Sequence, residues 1–412
     1  MRVLWSAISV PSLVLSLAAC NVTTGDDAST SAPPGADPSA AAPADPGAPS
    51  SELGKPPTPA ADEGAVFTIS NASEANEVLA FARDASGKLS PAGVFPTGGR
   101  GLGKGLGSQG ALALSEDRRV LVVVDAGSSQ ISSFRVQGTT LLFRSRVSSG
   151  GTQPISVTVH GGVVYALNAG EPSNVSGFLL DADGRLAPIA GSTRMLSTAG
   201  AAPAQVSFSP KGDVLVVTEK GTDKIDTFTV RQDGTASQGE AFASNGKTPF
   251  GFAFAPNGQL VVTEAFGAAE GAGATSSYAL ESLFHAGPRG TAERAITSVS
   301  ASVANAQTAP CWAVVSPDGK TAYTSNTPSG TVSAYAIDPS GALTLIGDGA
   351  AAKTGDGSKP VDMTLDGSGK HLYVLASGTQ HLKTIDVAPD GALAVRPSGA
   401  EVPASAFGLA GF

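Results

Sequence analysis

Seven near-copies of one unit run through the chain beyond residue 63, and this repeat limits the fold more than any other feature. The clearest copy, Pro203 to Gly234, reads PAQVSFSPKGDVLVVTEKGTDKIDTFTVRQDG. An alternating apolar run holding Val206 and Phe208 meets a Pro-Lys-Gly turn, and a second run from Val214 to Thr218 ends in a Gly-bearing loop. A third run, carrying Ile225, Phe228 and Val230, closes in an Asp-Gly turn. Short period-two runs between Gly, Pro and Asp punctuation are antiparallel strands. Four such strands in roughly 45 residues make one propeller blade.

The second strand of the unit begins near Ala65, Val120, Val163, Val214, Leu260, Thr321 and His371, which gives seven repeats. A preceding strand stands at Gln109, Gln153, Pro203, Pro249, Pro310 and Pro360, so the first repeat lacks one. The missing copy lies at the other end of the chain, where PASAFGLAGF (Pro403 to Phe412) has the same pattern and no second strand after it. The prediction is an all-β, seven-bladed β-propeller over residues 63–412, its ring closed by the C-terminal strand joining the N-terminal blade. Closure removes the open sheet edges that invite aggregation, whereas a solenoid would need capping repeats at both ends. With 51 Gly and only 6% aromatic residues, the chain has the composition of many short strands and tight turns.

Turns such as SPKG, APNG and SPDG join strands one and two, and DASG, DADG and DPSG join strands three and four; both sets fall on one face. The other face carries the variable loops TGGRGLGKGLGSQ (97–109), NAGEPSN (168–174) and EAFGAAEGAGAT (264–275). Variable loops on a rigid scaffold are the usual place for function, so a site is expected on that face, over the central channel.

Residues 1–20 read as a secretion leader: one cation (Arg2), an apolar segment from Val3 to Leu17, then Leu17-Ala18-Ala19-Cys20. The ending resembles the bacterial lipobox, which implies lipidation at Cys20, and Asn21 after it favours the outer membrane. Residues 21–62, rich in Ala, Pro and Ser, have too little apolar surface to order and are predicted to be a disordered tether. The expected location is the cell envelope, with the membrane met only through the lipid anchor and the domain a monomer. Net charge is −9, and no Lys/Arg cluster offers the positive surface that nucleic acid requires.

The second strands end in polar residues: Asn71, Asp125, Asn168, Glu219, Glu264 and Asn326. On seven-fold geometry they form a ring at the channel mouth. Such oxygens suit a hard divalent cation, calcium or magnesium, with Asp125, Glu219 and Glu264 as the charged ligands, or they can orient a water against a carbonyl. The same residue types also begin turns by local hydrogen bonding. The glycine-rich stretch lacks the Gly-Lys-Ser/Thr ending of a nucleotide loop, but its amides beside Arg100 and Lys104 can hold an anion. His160, His285, His371 and His381 show no metal-ligand spacing, and Cys311-Trp312 opens an inner strand that should pack the channel wall.

The SPDGKTAYTSN and SPKGDVLVVTEKGTDKI units, with GGRGLGKGLGSQGALALS, resemble the lactonase-type seven-bladed propellers, a family of 6-phosphogluconolactonase-like and carboxymuconate-cyclising proteins. The resemblance spans about 65–412. It implies hydrolysis or isomerisation of a lactone or cyclic ester, with Glu219, Glu264 or Asp125 activating water and Arg100, Asn71, Asn168 and Asn326 holding a lactone or carbohydrate-derived ligand. Where the family often carries a His before an inner strand, this chain has Ala202-Pro203-Ala204-Gln205. The alternative is a non-catalytic scaffold that binds a protein or glycan in the envelope.

Overall fold

The computed structural model describes residues 63–284 and 292–412. The leader, Cys20, the tether and His285 lie outside them. The described residues form seven antiparallel sheets of four or five strands, one per repeat. Blade 1 runs from its innermost strand outward as Phe407–Gly411, Gly64–Ile69, Glu77–Arg83 and Leu89–Pro96. The C-terminal strand therefore pairs with the N-terminal one, with Val66 opposite Gly411 and Ile69 opposite Phe407, as the split repeat predicts. Thr68 Oγ1 donates to the Phe407 carbonyl (3.2 Å), Ser405 Oγ to that of Ser70 (2.7 Å) and Arg83 Nε to that of Phe412 (3.2 Å).

Burial follows strand position. Second strands lie between neighbouring blades on both faces, so their apolar runs are nearly continuous: every residue of Val120–Asp125, Val214–Glu219, Leu260–Glu264 and His371–Ala376 is buried. Each fully buried Val or Leu there contributes about 1.5–3 kcal/mol. Outer strands such as Glu240–Ala243 alternate between half-buried and exposed, as expected of a sheet rim. In blade 5, Ala274–Phe284 and Ala292–Ala304 prolong the outer hairpin beyond the tight-turn face.

The inner strands are irregular near their starts. Register shifts lie at Pro203/Gln205, Pro249/Phe252, Pro310/Trp312 and Pro360/Met363. The inner edge of each innermost strand has no further strand to pair with, and polar side chains bond backbone groups there. Gln205 bonds both the amide and the carbonyl of Phe252 (2.7 and 3.0 Å), and Gln109 does the same for Ala313 (3.0 and 2.7 Å). Trp312 Nε1 donates to the Ser108 carbonyl at 2.7 Å. Asp362 accepts from the amides of Met363 (2.8 Å) and Leu409 (3.2 Å), and burial pushes its carboxyl up to about 7. These bonds tie the inner strands of blades 4 and 5 and of blades 7 and 1 together, and join residues 108 and 109 to blade 6.

Candidate active site on blade 4

The ring of polar strand ends does not line the channel mouth as the sequence suggested. Asn71, Asp125, Asn168, Glu219, Glu264 and Asn326 are all fully buried, and most of them pin the connection arriving from the preceding blade. Asp125 accepts from Thr97 Oγ1 (2.5 Å), Ser132 Oγ (2.6 Å) and Asn76 Nδ2 (2.9 Å). Glu264 accepts from the Gly246 amide (2.9 Å), Ser276 Oγ (2.5 Å) and Ser302 Oγ (2.7 Å). Asn168 donates to the Ser149 carbonyl (3.0 Å), and Asn326 accepts from Asn305 Nδ2 (3.0 Å). Asn71 holds the glycine-rich connection through the Leu102 amide (2.9 Å) and the Lys104 carbonyl (2.6 Å). The connections pass so close that a Cβ on Gly99 would overlap Asp125, and one on Gly246 would overlap Glu264. Burial raises the carboxyls of Asp125 and Glu264, and the hydroxyl and amide donors only partly offset it.

This corrects two expectations. Asp125 and Glu264 sit in separate blades with their oxygens occupied, and among the described residues no three His, Cys, Asp or Glu side chains converge on a point that could hold a metal ion. The calcium or magnesium set of Asp125, Glu219 and Glu264 is therefore not assembled. Leu106, Gly107 and Ser108 of the glycine-rich connection are buried, and the carbonyls of Gly107 and Ser108 accept from Lys220 and Trp312. Arg100 is exposed at the crossing from blade 1 to blade 2, where its backbone bonds Ser128 and Gly127, and no described contact joins it to Glu219.

Blade 4 differs from its neighbours at two positions around the end of its second strand. The third residue of the third strand is Ser132, Ser176, Ser276 and Ser333 in blades 2, 3, 5 and 6, and the hydroxyls of Ser132, Ser276 and Ser333 bond the buried strand-end residue of their own blade. In blade 4 the residue is Asp226, whose carboxyl meets that of Glu219. Burial, then hydrogen bonding and repulsion from Glu219, push the Asp226 carboxyl well above the usual range. Asp226 Oδ1 has no donor among the described groups, which a proton held by the pair would supply.

Ser197, exposed on the connection from blade 3, caps this pair. Its amide lies 3.0 Å from Glu219 Oε1 and 3.0 Å from Asp226 Oδ2, and its hydroxyl lies 3.0 and 2.9 Å from the two Glu219 oxygens. Thr222 Oγ1 also donates to Glu219 Oε2. Lys224 Nζ reaches the Ser197 hydroxyl at 3.3 Å. A base raised above the carboxylate range, a surface hydroxyl and a cation thus stand within one another's reach.

The second departure is Lys220. The residue after the strand end is Ala72, Ala126, Ala169, Ala265, Thr327 or Ser377 in the other blades. Lys220 Nζ donates to the carbonyls of Gly107 (2.6 Å) and Pro203 (3.0 Å) and lies 4.9 Å from the centre of the Phe250 ring. Desolvation lowers its ammonium to about 7. It ties the glycine-rich connection to blade 4. Ser197, Asp226, Lys220 and Lys224 were not singled out from the sequence. The signal was the column of serines QISSF, NVSGF, ATSSY and TVSAY against KIDTF, together with the column of small residues that Lys220 interrupts.

His160 and His371 lie at the tight turns between first and second strands, and His381 opens the third strand of blade 7. His160 Nδ1 meets Glu116 at 2.6 Å, and His371 Nδ1 meets Asp366 at 2.7 Å; neither approaches blade 4's pair through any described contact. Cys311 is fully buried in its inner strand.

The family profile described as lactonase, seven-bladed β-propeller, matches residues 172–265 and 287–403, just over half of the chain. The chain belongs to that family. Among solved structures, a protein from Bacteroides fragilis proposed to be a 6-phosphogluconolactonase is 19% identical (TM-score 0.66), covering 86% of this chain and 99% of its own. A protein from Lactobacillus plantarum is 20% identical (TM-score 0.67; 85% and 99%), and the periplasmic gluconolactonase of Pseudomonas aeruginosa is 18% identical (TM-score 0.61; 85% and 99%). At these identities the likeness is one of fold. No curated protein matches the sequence.

Proposed function

We propose that this protein is an exported, lipid-anchored lactonase-like propeller that hydrolyses a lactone or related cyclic ester on the variable face of blade 4. The observation that carries the reading is the Glu219–Asp226 pair beneath the exposed Ser197. Two carboxyls that hold one proton between them give a base matched to neutral pH. The Ser197 hydroxyl relays to the pair a proton from a water bound against it, and the water oxygen adds to the lactone carbonyl. Lys224 faces the oxyanion that forms. As the ring C–O bond breaks, the pair returns the proton to the departing alkoxide, leaving a hydroxy acid that ionises into solvent. Family membership supports the reaction class, and the leader over residues 1–20 supports export, which excludes substrates confined to the cytoplasm. A lipid found on Cys20 by mass spectrometry of the envelope fraction would establish the anchor.

The test is hydrolysis of a panel of sugar and acyl lactones by the purified protein. Wild type is expected to turn over at least one of them, and Glu219→Gln and Asp226→Asn to lose about 100-fold in kcat while keeping the native circular dichroism. One observation favours the scaffold alternative: neither carboxyl of the pair has any solvent exposure of its own. No turnover across the panel, or turnover that survives both substitutions, would decide for a protein- or glycan-binding domain, to be sought by pull-down from the envelope.

A further inference from the structure

The tight-turn end of the channel, opposite blade 4's pair, is open. A cavity of about 600 Å³ lies there on the propeller axis, walled by the lower halves of the inner strands. Its walls include Phe208, Phe252, Phe254, Val315, Leu365 and Phe412. Phe208 and Phe252 are buried between blades, and Phe254 and Phe412 leave part of their rings exposed. Phe254, Val315, Leu365 and Phe412 are only half-buried, so the wall is apolar surface left to solvent. The floor is polar but satisfied: Gln109 spends its amide on Ala313.

The rim carries Arg118 and Asp366. Asp366 is engaged, at 2.7 Å from His371 Nδ1 and 3.7 Å from Arg83 Nη1, and its side chain is 1% exposed. Arg118 is exposed and holds its guanidinium 5.6 Å from the centre of the Phe412 ring, at the edge of the apolar wall. No carboxylate pairs with it among the described ion pairs; the neighbouring Asp117 is taken by Arg119 (3.7 Å). An open recess of mixed polarity, with half-buried apolar side chains on its wall and one cation at its lip, suits a molecule with an apolar body and a single anionic end.

We infer that the axial cavity on the tight-turn face is a binding site for a small amphipathic carboxylic acid, its apolar body against the phenylalanines and its carboxylate at Arg118. The site shares no residue with blade 4's pair, so it stands or falls separately from the proposed hydrolysis.

The experiment uses decanoate as probe, read by displacement of anilinonaphthalene sulfonate fluorescence and by calorimetry on the purified protein. Saturable one-to-one binding of decanoate is expected, with decanamide weaker by about tenfold or more. Arg118→Gln should bring decanoate down to the level of decanamide. Ser207→Trp, which fills the cavity from its wall, should abolish both, and Glu219→Gln should change neither. Absence of saturable binding, equal affinity for acid and amide, or binding that survives Arg118→Gln or Ser207→Trp in folded protein would each overturn the assignment.

Discussion

Asp226 meets Glu219 carboxyl to carboxyl at a position where blades 2, 3, 5 and 6 carry a serine. A serine there can donate to the buried strand end; an aspartate must hold a proton to do the same. The exchange turns a pin between strands into an acid pair, and Ser197 places that pair one residue below the surface.

The pair should be visible in the pH dependence of stability. Burial and Glu219 hold the Asp226 carboxyl above its ordinary value, so the folded chain keeps a proton that the unfolded chain releases. Stability therefore falls as pH rises above the ordinary aspartate range. Asp226→Asn is neutral throughout and loses that slope. Its melting temperature relative to wild type is expected to climb steadily between about pH 5 and about pH 8. A difference that does not change with pH would mean that no proton is shared.

The buried carboxylates of the other blades should behave as structure. Asp125→Ala leaves Thr97, Ser132 and Asn76 facing a void, and Glu264→Ala does the same to Ser276, Ser302 and the Gly246 amide. Each is expected to cost on the order of 2–3 kcal/mol in urea unfolding, with turnover per folded molecule unchanged. Calcium at millimolar level should leave the melting temperature where it is, because these carboxylates stand in different blades.

The blade count, the closure and the face that carries the variable loops could all be read from the sequence, because alternation and turn chemistry are local and repeat seven times. The ring of strand ends could be read too, but its depth could not. Asp125 and Glu264 are polar residues in second strands, and only the passage of Thr97 and Gly246 over them shows that they face another blade. Ser197 stayed hidden for the same reason: it lies on the connection from blade 3, 22 residues before Glu219, and nothing local marks it. The bonds that join Ser108 and Gln109 to blade 6 stand beside the register shift at Pro310/Trp312, which alternation alone does not reveal.

Lys220 should act as a clasp on the glycine-rich connection. In Lys220→Met the carbonyls of Gly107 and Pro203 lose their donor, and amide exchange at residues 106–108 is expected to speed up by about tenfold or more. Global stability should change with pH in a defined direction. The folded ammonium titrates near 7, below the ordinary lysine value, so wild-type stability rises with pH from about 7 toward that value. The methionine variant lacks this rise. Equal exchange rates in the two proteins would show that the connection is held by its own packing.

Ring closure gives the last prediction. Phe407–Gly411 supplies the inner strand of blade 1, stacks Phe407 6.0 Å from Trp312 and brings the Leu409 amide to Asp362. Removing residues 403–412 exposes one edge of Gly64–Ile69, leaves Trp312 with Phe250 as its remaining aromatic contact and takes a donor from a buried carboxyl. The truncated chain is expected to lose its cooperative thermal transition and to aggregate through the bare strand. A synthetic peptide of residues 403–412 should restore the transition in trans, since a strand added to an open edge regains the ladder and its side-chain pockets together. Cooperative unfolding of the truncated chain without the peptide would show that six complete blades and a three-stranded remnant are enough to hold the ring.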